Sequence, residues 1–399
     1  MGFLIRKQRG FFSFTGIARL SIITFIISLS YSLVDTIWAI YLGGIFNNVS
    51  IISFFSAFLT IIAFFSYFFF VPLIEKNSKS RLFATSLIFV GLSYLIFILN
   101  KSLTIFFIAA ISLTIFTTLR INSFGIIVRD KSHKKNLSRN EGLLYTFFNI
   151  AWLIGPLISG LLAEAYGINF IFILSAIFIF LGLFLFWISR IKDLNIKKRA
   201  DNHVIKNFFA FFKSGKRRFA YFIGGGVNFW FILIYLYMPL LILENGLREV
   251  WIGYFLFATA IPVVFLEYPM SKLAGKIGFK RIFKIGFLIL AVASLACFFI
   301  ESIYIILAIL VFASIGVSMI EPTTEAYFFD ILKTKEEESR FYGPYNTTID
   351  VNNFIGKVLI GLLLFIFPLK FIFLFFFAFM FIYFLISAKI KDVKEWRRK

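Results

Sequence analysis

The chain has 399 residues, of which 60% are hydrophobic and only 15% are charged, and its formal net charge is +21. An average soluble protein is roughly 25% charged, and large exposed apolar patches aggregate. This composition therefore excludes a soluble enzyme, a secreted scaffold and a disordered chain. An outer-membrane barrel is excluded because its strands alternate polar and apolar residues. The single cysteine, Cys297, rules out a disulfide framework. An all-α polytopic membrane protein remains.

Twelve apolar windows follow one another along the chain, each long enough to cross a bilayer as a helix. They span residues 19–43, 50–72, 82–100, 103–128, 142–163, 167–189, 217–243, 250–270, 282–300, 303–329, 342–367 and 369–390. The first window follows basic residues but lacks a small-residue cleavage site, so we expect a retained helix rather than a signal peptide. The sequence predicts twelve transmembrane helices.

The connections between these windows alternate in charge. Of the 41 Lys and Arg residues, 36 lie in the termini and in the connections on one side, whereas the other side carries only Lys101, Arg248 and Lys370. Because basic connections stay inside, we expect a multi-pass protein of the plasma membrane with both termini cytoplasmic. The net charge then reflects topology and contact with anionic membrane lipids, and no nucleic-acid partner is expected.

The longest connection, residues 190–216, separates six predicted helices from six. We expect a first six-helix bundle over residues 1–189, a cytoplasmic linker over 190–216 and a second bundle over 217–399. The run Phe208–Phe212 stands between basic residues of the linker. It predicts either an amphipathic helix on the inner leaflet or a plain linker, and the sequence leaves both open.

The two halves repeat one another at an offset of 200 or 201 residues. Leu73–Arg81 corresponds to Leu273–Arg281, and Gly155–Leu162 corresponds to Gly356–Leu363. A parallel repeat of six helices predicts two pseudo-symmetric bundles about an axis along the membrane normal, with solute carried between them by alternating access.

The connection after the eighth predicted helix carries a family resemblance. Residues 271–281 read Ser-Lys-Leu-Ala-Gly-Lys-Ile-Gly-Phe-Lys-Arg. This segment is similar to the loop motif of the major facilitator superfamily, with Gly275 in place of an acid. The first copy is degenerate and has Glu75, Lys76 and Ser78 at the acidic, basic and glycine positions. The resemblance covers nearly the whole chain and implies the major facilitator fold. The gating residues it implies in these connections are Glu75, Lys76, Lys276 and Gly278. The alternative for the basic residues is a plain positive-inside anchor.

The fifth predicted helix has small residues at every fourth position, Ala151, Gly155 and Ser159, with Pro156 among them. This spacing lets two helix backbones approach closely, and a proline bends a helix. The segment resembles the helix-5 motif of the multidrug/proton antiporters of the same superfamily, which implies a gating role for Gly155 and Pro156. Ordinary small-residue packing is the alternative.

Several charged residues lie inside the predicted helices, where a charge costs roughly 2.5–3.5 kcal/mol and is usually paired and functional. The residues placed well inside are Asp35, Arg120, Glu321, Asp350 and Lys357. At about 1.5 Å per residue, Asp35 and Lys357 lie farther from the cytoplasmic side of the membrane than the other three. Glu267 and Glu325 lie near helix ends, where reaching the interface is favoured over a functional role inside the membrane.

The eleventh predicted helix carries a polar stripe at positions i, i+4, i+7 and i+11, a spacing that places its members on one face. The stripe consists of Asn346, Asp350, Asn353 and Lys357. Such a stripe cannot face lipid, so we expect it to line a substrate cavity. The cavity residues expected from the fourth, fifth and seventh helices are Arg120, Asn149, Trp152 and Tyr235. Gly224–Gly226 and Pro239 are possible bending points of the seventh helix.

These features predict a secondary transporter. An ATP motor and an enzyme are not expected, because the chain has no Walker loop and no nucleophile–base constellation. We expect Asp35 to carry the coupled proton; the alternative is a structural pair with Lys357. Arg120 and Glu321 are expected to form a cytoplasmic gate; the alternative is that each pairs within its own bundle.

The resemblance to antiporters implies proton-coupled export of a small amphiphilic or drug-like molecule. The alternative is import or facilitated diffusion of a small polar or anionic solute, held by Arg120 and Lys357. The expected partners are the small-molecule substrate, protons and membrane lipids. We expect no cofactor and no metal site, and we expect a monomer.

Overall fold

The computed structural model describes residues 16–99, 102–131, 137–190, 204–332 and 334–390. Within these ranges the chain forms fifteen α-helices and no strand. In chain order they are α1 (Gly16–Phe46), α2 (Val49–Lys76), α3 (Lys79–Leu99), α4 (Leu103–Lys131), α5 (Leu137–Tyr166), α6 (Ile168–Ile188), α7 (Val204–Phe211), α8 (Gly215–Ile232), α9 (Met238–Glu244), α10 (Glu249–Ile277), α11 (Phe279–Phe299), α12 (Ile303–Asp330), α13 (Lys335–Asn346), α14 (Thr348–Leu364) and α15 (Ile372–Lys389).

Twelve helical spans in the described ranges are long and apolar enough to cross a membrane, which confirms the predicted number. The seventh span, Gly215–Glu244, joins α8, a π-helical turn and α9, and the eleventh, Glu336–Leu364, joins α13 and α14. Because the number of crossings is even, the start of α1 and the end of α15 lie on one side, here called the terminal face. The opposite side is the distal face.

The seventh span is irregular at Leu233–Tyr237, where the chain forms the π-helical turn. Pro239 follows directly and has no N–H to donate to the preceding turn. Inside a membrane no water can satisfy the freed carbonyl, so a widened turn is the available adjustment. The irregularity therefore lies beside Pro239, one of the two predicted bending points. Gly224–Gly226, the other one, lies inside the regular helix α8.

The three glycines of α8 are contact points between helices. A Cβ at Gly224 would lie 2.6 Å from the Tyr345 hydroxyl, one at Gly226 would lie 2.6 Å from the Phe287 ring, and one at Gly225 would overlap the Asn352 amide. In each case the absent side chain is what allows the neighbouring helix to approach.

Asn352 is the centre of a buried polar network at this contact. Its amide nitrogen donates to the Thr348 carbonyl over 2.8 Å, and its amide oxygen accepts from the Tyr383 hydroxyl over 2.9 Å. The Thr348 hydroxyl in turn donates to the Tyr221 carbonyl over 2.6 Å. The network joins α8, α14 and α15 within the second half of the molecule.

The two halves meet through α5 against α10 and through α2 against α14. A Cβ at Gly160 of α5 would lie 2.8 Å from the Gly253 Cα of α10, so the two backbones cross almost in contact. A second contact between the halves is a hydrogen bond of 2.6 Å that the hydroxyls of Ser53 and Tyr237 share. We call the contacts of Ser53, Gly160, Tyr237 and Gly253 the distal seal.

The helix α7 lies in the predicted linker and contacts both halves. Phe208 packs against Phe64 and Phe68 of α2, with ring centroids 6.3 and 5.6 Å apart. Phe211 is fully buried and packs against Phe328 and Phe341 of the second half. The run Phe208–Phe212 is thus neither a plain linker nor a helix that lies only on the leaflet. Residues 191–203 of the predicted linker lie outside the described ranges.

We expect Gly225→Leu to destabilise the protein, because the new side chain would displace Asn352 from its network. Overpacking of this kind costs about 1–3 kcal/mol. The measurement is thermal unfolding of the purified protein in detergent, where Tm should fall by several degrees. Gly125→Leu in α4 is the matched control, since nothing lies within 4 Å of a Cβ at Gly125. Equal Tm values for the two variants would contradict the packing role.

Candidate functional site

A cavity of about 580 Å³ lies between the two halves, within the usual size range of small-molecule sites. Its walls come from α1, α2, α4 and α5 of the first half and from α8, the π-helical turn, α10, α12 and α14 of the second. The charged side chains that line it are Asp35, Glu267, Glu321, Asp350 and Lys357.

The distal seal closes this cavity on one side. In α5 the lining residues precede Gly160, and in α10 they follow Gly253, so on both helices the seal lies nearer the distal face. In α2 the seal residue Ser53 likewise precedes the lining residues Ser56 and Thr60. The cavity therefore extends from the middle of the bundle toward the terminal face.

Lys357 is the one cationic side chain among the described residues of the cavity wall. Its ammonium group donates to the hydroxyl of Thr60 over 3.0 Å, and this bond crosses from α14 to α2. The carboxylates of Asp35 and Asp350 both act electrostatically on Lys357. Neither of these described carboxylates is close enough for a direct ion pair, so Lys357 balances two acids from an intermediate position.

Aromatic side chains make up much of the remaining wall. Trp152 of α5 and Tyr235 of the π-helical turn meet edge to face across the halves, with ring centroids 6.0 Å apart. The other aromatic lining residues are Trp38, Phe148, Trp230 and Phe231. The indole N–H groups of Trp152 and Trp230 are buried and have no acceptor among the described residues. Apolar faces and spare donors thus surround the charged groups.

Six of the eight residues predicted for the cavity lie in its wall: Asn149, Trp152, Tyr235, Asp350, Asn353 and Lys357. The other two, Arg120 and Asn346, do not line this cavity, so their contact with substrate stays a prediction. Thr114 of α4 does line the cavity, but six further residues rotate a helix by about 240°, so Arg120 emerges on another face. Asn346 is the last residue of α13, and the helix break before α14 takes it out of the stripe.

The Arg120 guanidinium packs over the Tyr31 ring of α1, 4.2 Å from its centroid. Its Nε has no hydrogen-bond acceptor among the described residues. Glu321 lines the cavity instead, and it forms no ion pair with Arg120 or with Lys357 in the described part of the chain. The gate between Arg120 and Glu321 in another conformation stays a prediction.

The residues of the loop motif lie at helix ends on the terminal face. Lys76 and Lys276 are exposed in the last turns of α2 and α10. Gly278 has φ +91°, a conformation that favours glycine. Its repeat mate Ser78 has no such φ, because the first connection turns differently. The side chain of Glu75 lies outside the described part of the structure.

The small residues of α5 pack against α1. A Cβ at Gly155 would lie 2.7 Å from the Ser32 Cβ, and the Ser159 hydroxyl donates to the Leu33 carbonyl over 2.8 Å. Pro156 lies inside α5, and its carbonyl oxygen would lie 2.6 Å from a Cβ at Gly253. The motif thus holds α5 between α1 and α10, beside the distal seal. The gating role of Gly155 and Pro156 stays a prediction.

The sequence reasoning missed an ion pair at the distal seal. Arg248, which caps α10, lies 2.6 Å from the carboxylate of Glu164 in the last turn of α5. The pair joins the two halves beside the crossing of Gly160 and Gly253. The sequence does show opposite charges at the distal ends of two helices that contain small residues. It does not show that these two helix ends lie side by side, because that depends on the tertiary structure.

The sequence left two positions open for Glu267, the interface and the membrane interior. In the structure Glu267 lines the cavity. Its helical spacing carried the signal, since Ala260, Val263, Val264 and Glu267 share one face of α10 and all four line the cavity. Other lining residues that the prediction omitted are Trp38, Ser56, Thr60 and Trp230.

The family of the chain follows from its match to known proteins. Residues 20–266 and 252–398 match the family model of the Major Facilitator Superfamily. The chain belongs to this superfamily of membrane transporters, so it is a multi-pass membrane transporter and not an enzyme. An uncharacterized MFS-type transporter of Methanocaldococcus jannaschii is 26% identical over 282 residues, which cover 69% of this chain and 72% of the relative.

Solved structures of several transporters share the fold. The nucleoside transporter NupG is 10% identical, with a TM-score of 0.77 over 95% of this chain and 100% of that one. A POT family transporter in complex with a thioalcohol-conjugated peptide is 15% identical, with a TM-score of 0.76 over 95% and 96%. A bacterial homologue of the iron transporter ferroportin is 14% identical, with a TM-score of 0.72 over 94% and 98%.

We expect neutralising the distal ion pair to favour an open distal face. Arg248→Gln or Glu164→Gln should raise the ratio of open to closed form about 1.4- to fivefold, because an exposed pair contributes about 0.2–1 kcal/mol. The measurement is an electron–electron distance between spin labels at Tyr166→Cys and Asn245→Cys, in a Cys297→Ser background. The swap Arg248→Glu with Glu164→Arg should restore the short distance.

The control for this measurement is Glu244→Gln, which removes another exposed distal carboxylate. If that variant lengthened the distance as much as Glu164→Gln, the effect would come from distal charge in general. The ion pair would then not be what holds the distal face closed.

Proposed function

We propose that the protein is a secondary active transporter that exports a small amphiphilic cation in exchange for protons by alternating access. The observation that carries this proposal is the composition of the cavity wall. Four carboxylates face one ammonium group, and aromatic rings surround them. A membrane interior does not tolerate uncompensated charge, so a solute with a positive group supplies what the wall lacks.

The aromatic wall supports the same class of solute. Cations are attracted to the faces of Trp and Tyr rings, and the rings also offer apolar area to a hydrophobic body. A closed distal seal above a cavity that extends toward the terminal face is one of the two arrangements that alternating access requires.

The alternative, import or facilitated diffusion of a small polar or anionic solute, has weaker support. It relied on Arg120 and Lys357 as anion ligands, but Arg120 packs on Tyr31 outside the cavity wall. Lys357 is already balanced by Asp35 and Asp350. An anion would therefore have to displace a carboxylate from the one available ammonium group.

Asp35 is the proposed proton carrier. It lines the cavity from α1 of the first half and acts on Lys357, which is held on Thr60 across the halves. Protonation removes the charge that attracts Lys357, and an interaction that differs between two conformers shifts their equilibrium. Proton binding at Asp35 would in this way be linked to the relative position of the halves.

We expect Asp35→Asn to abolish transport driven by a pH gradient while substrate exchange without a gradient is partly retained. The Asn side chain cannot take up a proton, but it keeps the shape of the wall. The measurement is uptake into proteoliposomes, with and without an imposed pH difference. Glu325→Gln, an exposed carboxylate of α12, is the control. Full gradient-driven uptake by Asp35→Asn would refute the assignment.

The proposed setting is the plasma membrane, with the terminal face toward the cytoplasm, because the basic connections gather on that face. In a Cys297→Ser background, we expect Glu301→Cys to react with a membrane-impermeant maleimide in intact cells and Lys216→Cys to react only after lysis. Both native side chains are exposed, at the distal and the terminal face respectively. Labelling of Lys216→Cys from outside would reverse the orientation.

A further inference from the structure

We infer that Glu267 and Glu321 form a separate subsite that binds the positively charged group of an organic cation. Both glutamates belong to the second half and lie on helices other than those of Asp35, Asp350 and Lys357. The inference rests on the proposed function and deepens it, since it divides the acids of one cavity between proton and substrate.

The two glutamates lie on neighbouring helices of the second half. Glu267 lies on α10 and Glu321 on α12, two helices that pack against each other. Both side chains line the cavity, and they are close enough for the two charges to act on each other. Two carboxylates on neighbouring helices of the same half thus face a common space.

The two glutamates have no basic partner among the described residues of the cavity wall. Among the described residues of the cavity wall Lys357 is the only cation, and it is bonded to Thr60 of the first half. The carboxylates that act on Lys357 are Asp35 and Asp350, not the two glutamates. Within the described part of the chain, neither glutamate forms an ion pair with a basic residue.

The buried indole N–H of Trp230 also lacks a hydrogen-bond partner among the described residues. Trp230 of α8 lines the same cavity and is 0% exposed, yet its indole N–H has no acceptor among the described residues. A buried donor of this kind normally has a partner. The helix that carries Trp230 packs against α12, the helix of Glu321. A ligand between them would present its positive group to the glutamates and an acceptor or an aromatic edge to Trp230.

Tyr235 connects this subsite to the proton site. The tyrosine lies in the π-helical turn, and both Asp35 and Glu321 act on it electrostatically. It also touches Trp152 of the first half. A cation bound at Glu321 and a proton bound at Asp35 therefore both change the charge near one side chain, which gives the two ligands a physical route of communication.

The test measures cation binding to the full-length protein in lipid nanodiscs, without a pH gradient. The probes are radiolabelled tetraphenylphosphonium and tetraphenylborate, which have nearly the same size and shape but opposite charge. The wild type should prefer the cation. Glu321→Gln and Glu267→Gln should each raise the Kd for tetraphenylphosphonium about tenfold, and the double variant should raise it further.

The matched control is Glu325→Gln, since Glu325 lies one turn beyond Glu321 on α12, is exposed and does not line the cavity. Its Kd should equal that of the wild type. Asp35→Asn should raise the Kd less than either glutamate variant does, because it leaves both glutamates of the subsite in place. Thermal unfolding of each variant shows whether it is folded, and Glu267→Gln stands in for Glu321→Gln if the latter unfolds.

Two kinds of failure can be told apart. If the wild type binds the cation and both glutamate variants bind it equally well, while Asp35→Asn or Asp350→Asn abolishes binding, the subsite is overturned and cation export stands. If the wild type prefers tetraphenylborate, or binds neither ion, the proposed function fails together with the subsite.

Discussion

The cost of a charge inside a membrane determines how this molecule is arranged. A charged side chain in the hydrocarbon region has to face another charged group, water or a cavity. Five such side chains from α1, α10, α12 and α14 are gathered around one space. Arg120 packs instead on the Tyr31 ring, where a cation–π contact provides part of the electrostatic stabilisation that water would give the charge. The space between the halves is therefore where the chain keeps the groups that lipid excludes.

Closure of that space depends on residues with little or no side chain. The crossing of Gly160 and Gly253 brings two backbones together, and Gly155 and Ser159 seat α5 on α1. The same principle operates within the second half, where Gly224–Gly226 admit Tyr345, Asn352 and Phe287. Lipid provides no hydrophobic drive between helices, so close packing and hydrogen bonds hold them together. Small residues thus stabilise both the fold and the seal beside the cavity.

Hydropathy and charge in the sequence predicted the twelve spans, because both properties report directly on lipid contact. The stripe of Asp350, Asn353 and Lys357 predicted part of the cavity for the same reason, since one helical face must avoid lipid. Helix rotation was harder to predict, because an error of one residue turns a side chain by about 100°. The Arg120 guanidinium packs on the Tyr31 ring and does not line the cavity. Asn346 is the last residue of α13, just before the helix break at Thr347.

Contacts between distant helices were beyond reach for a different reason. Nothing in the local sequence pairs Glu164 with Arg248 or Thr60 with Lys357, because those pairings depend on how two halves dock. Glu267 shows the intermediate case. Its spacing on α10 was visible in the sequence, but its nearness to the helix end favoured an interfacial position, and only the packing of α10 against α12 places it at the cavity.

The uneven exposure of the distal ion pair has a consequence for the surroundings in which the protein works. The Arg248 side chain is 74% exposed, whereas that of Glu164 is 23% exposed. Dissolved salt screens exposed charges over about 8 Å at physiological ionic strength and over shorter distances in brine. The distal seal lies between that medium and the charges around Lys357, so salt at the distal face screens those charges less. A salty medium at the distal face therefore weakens the pair that joins the halves, and the balance between a closed and an open distal face depends on the salt concentration there.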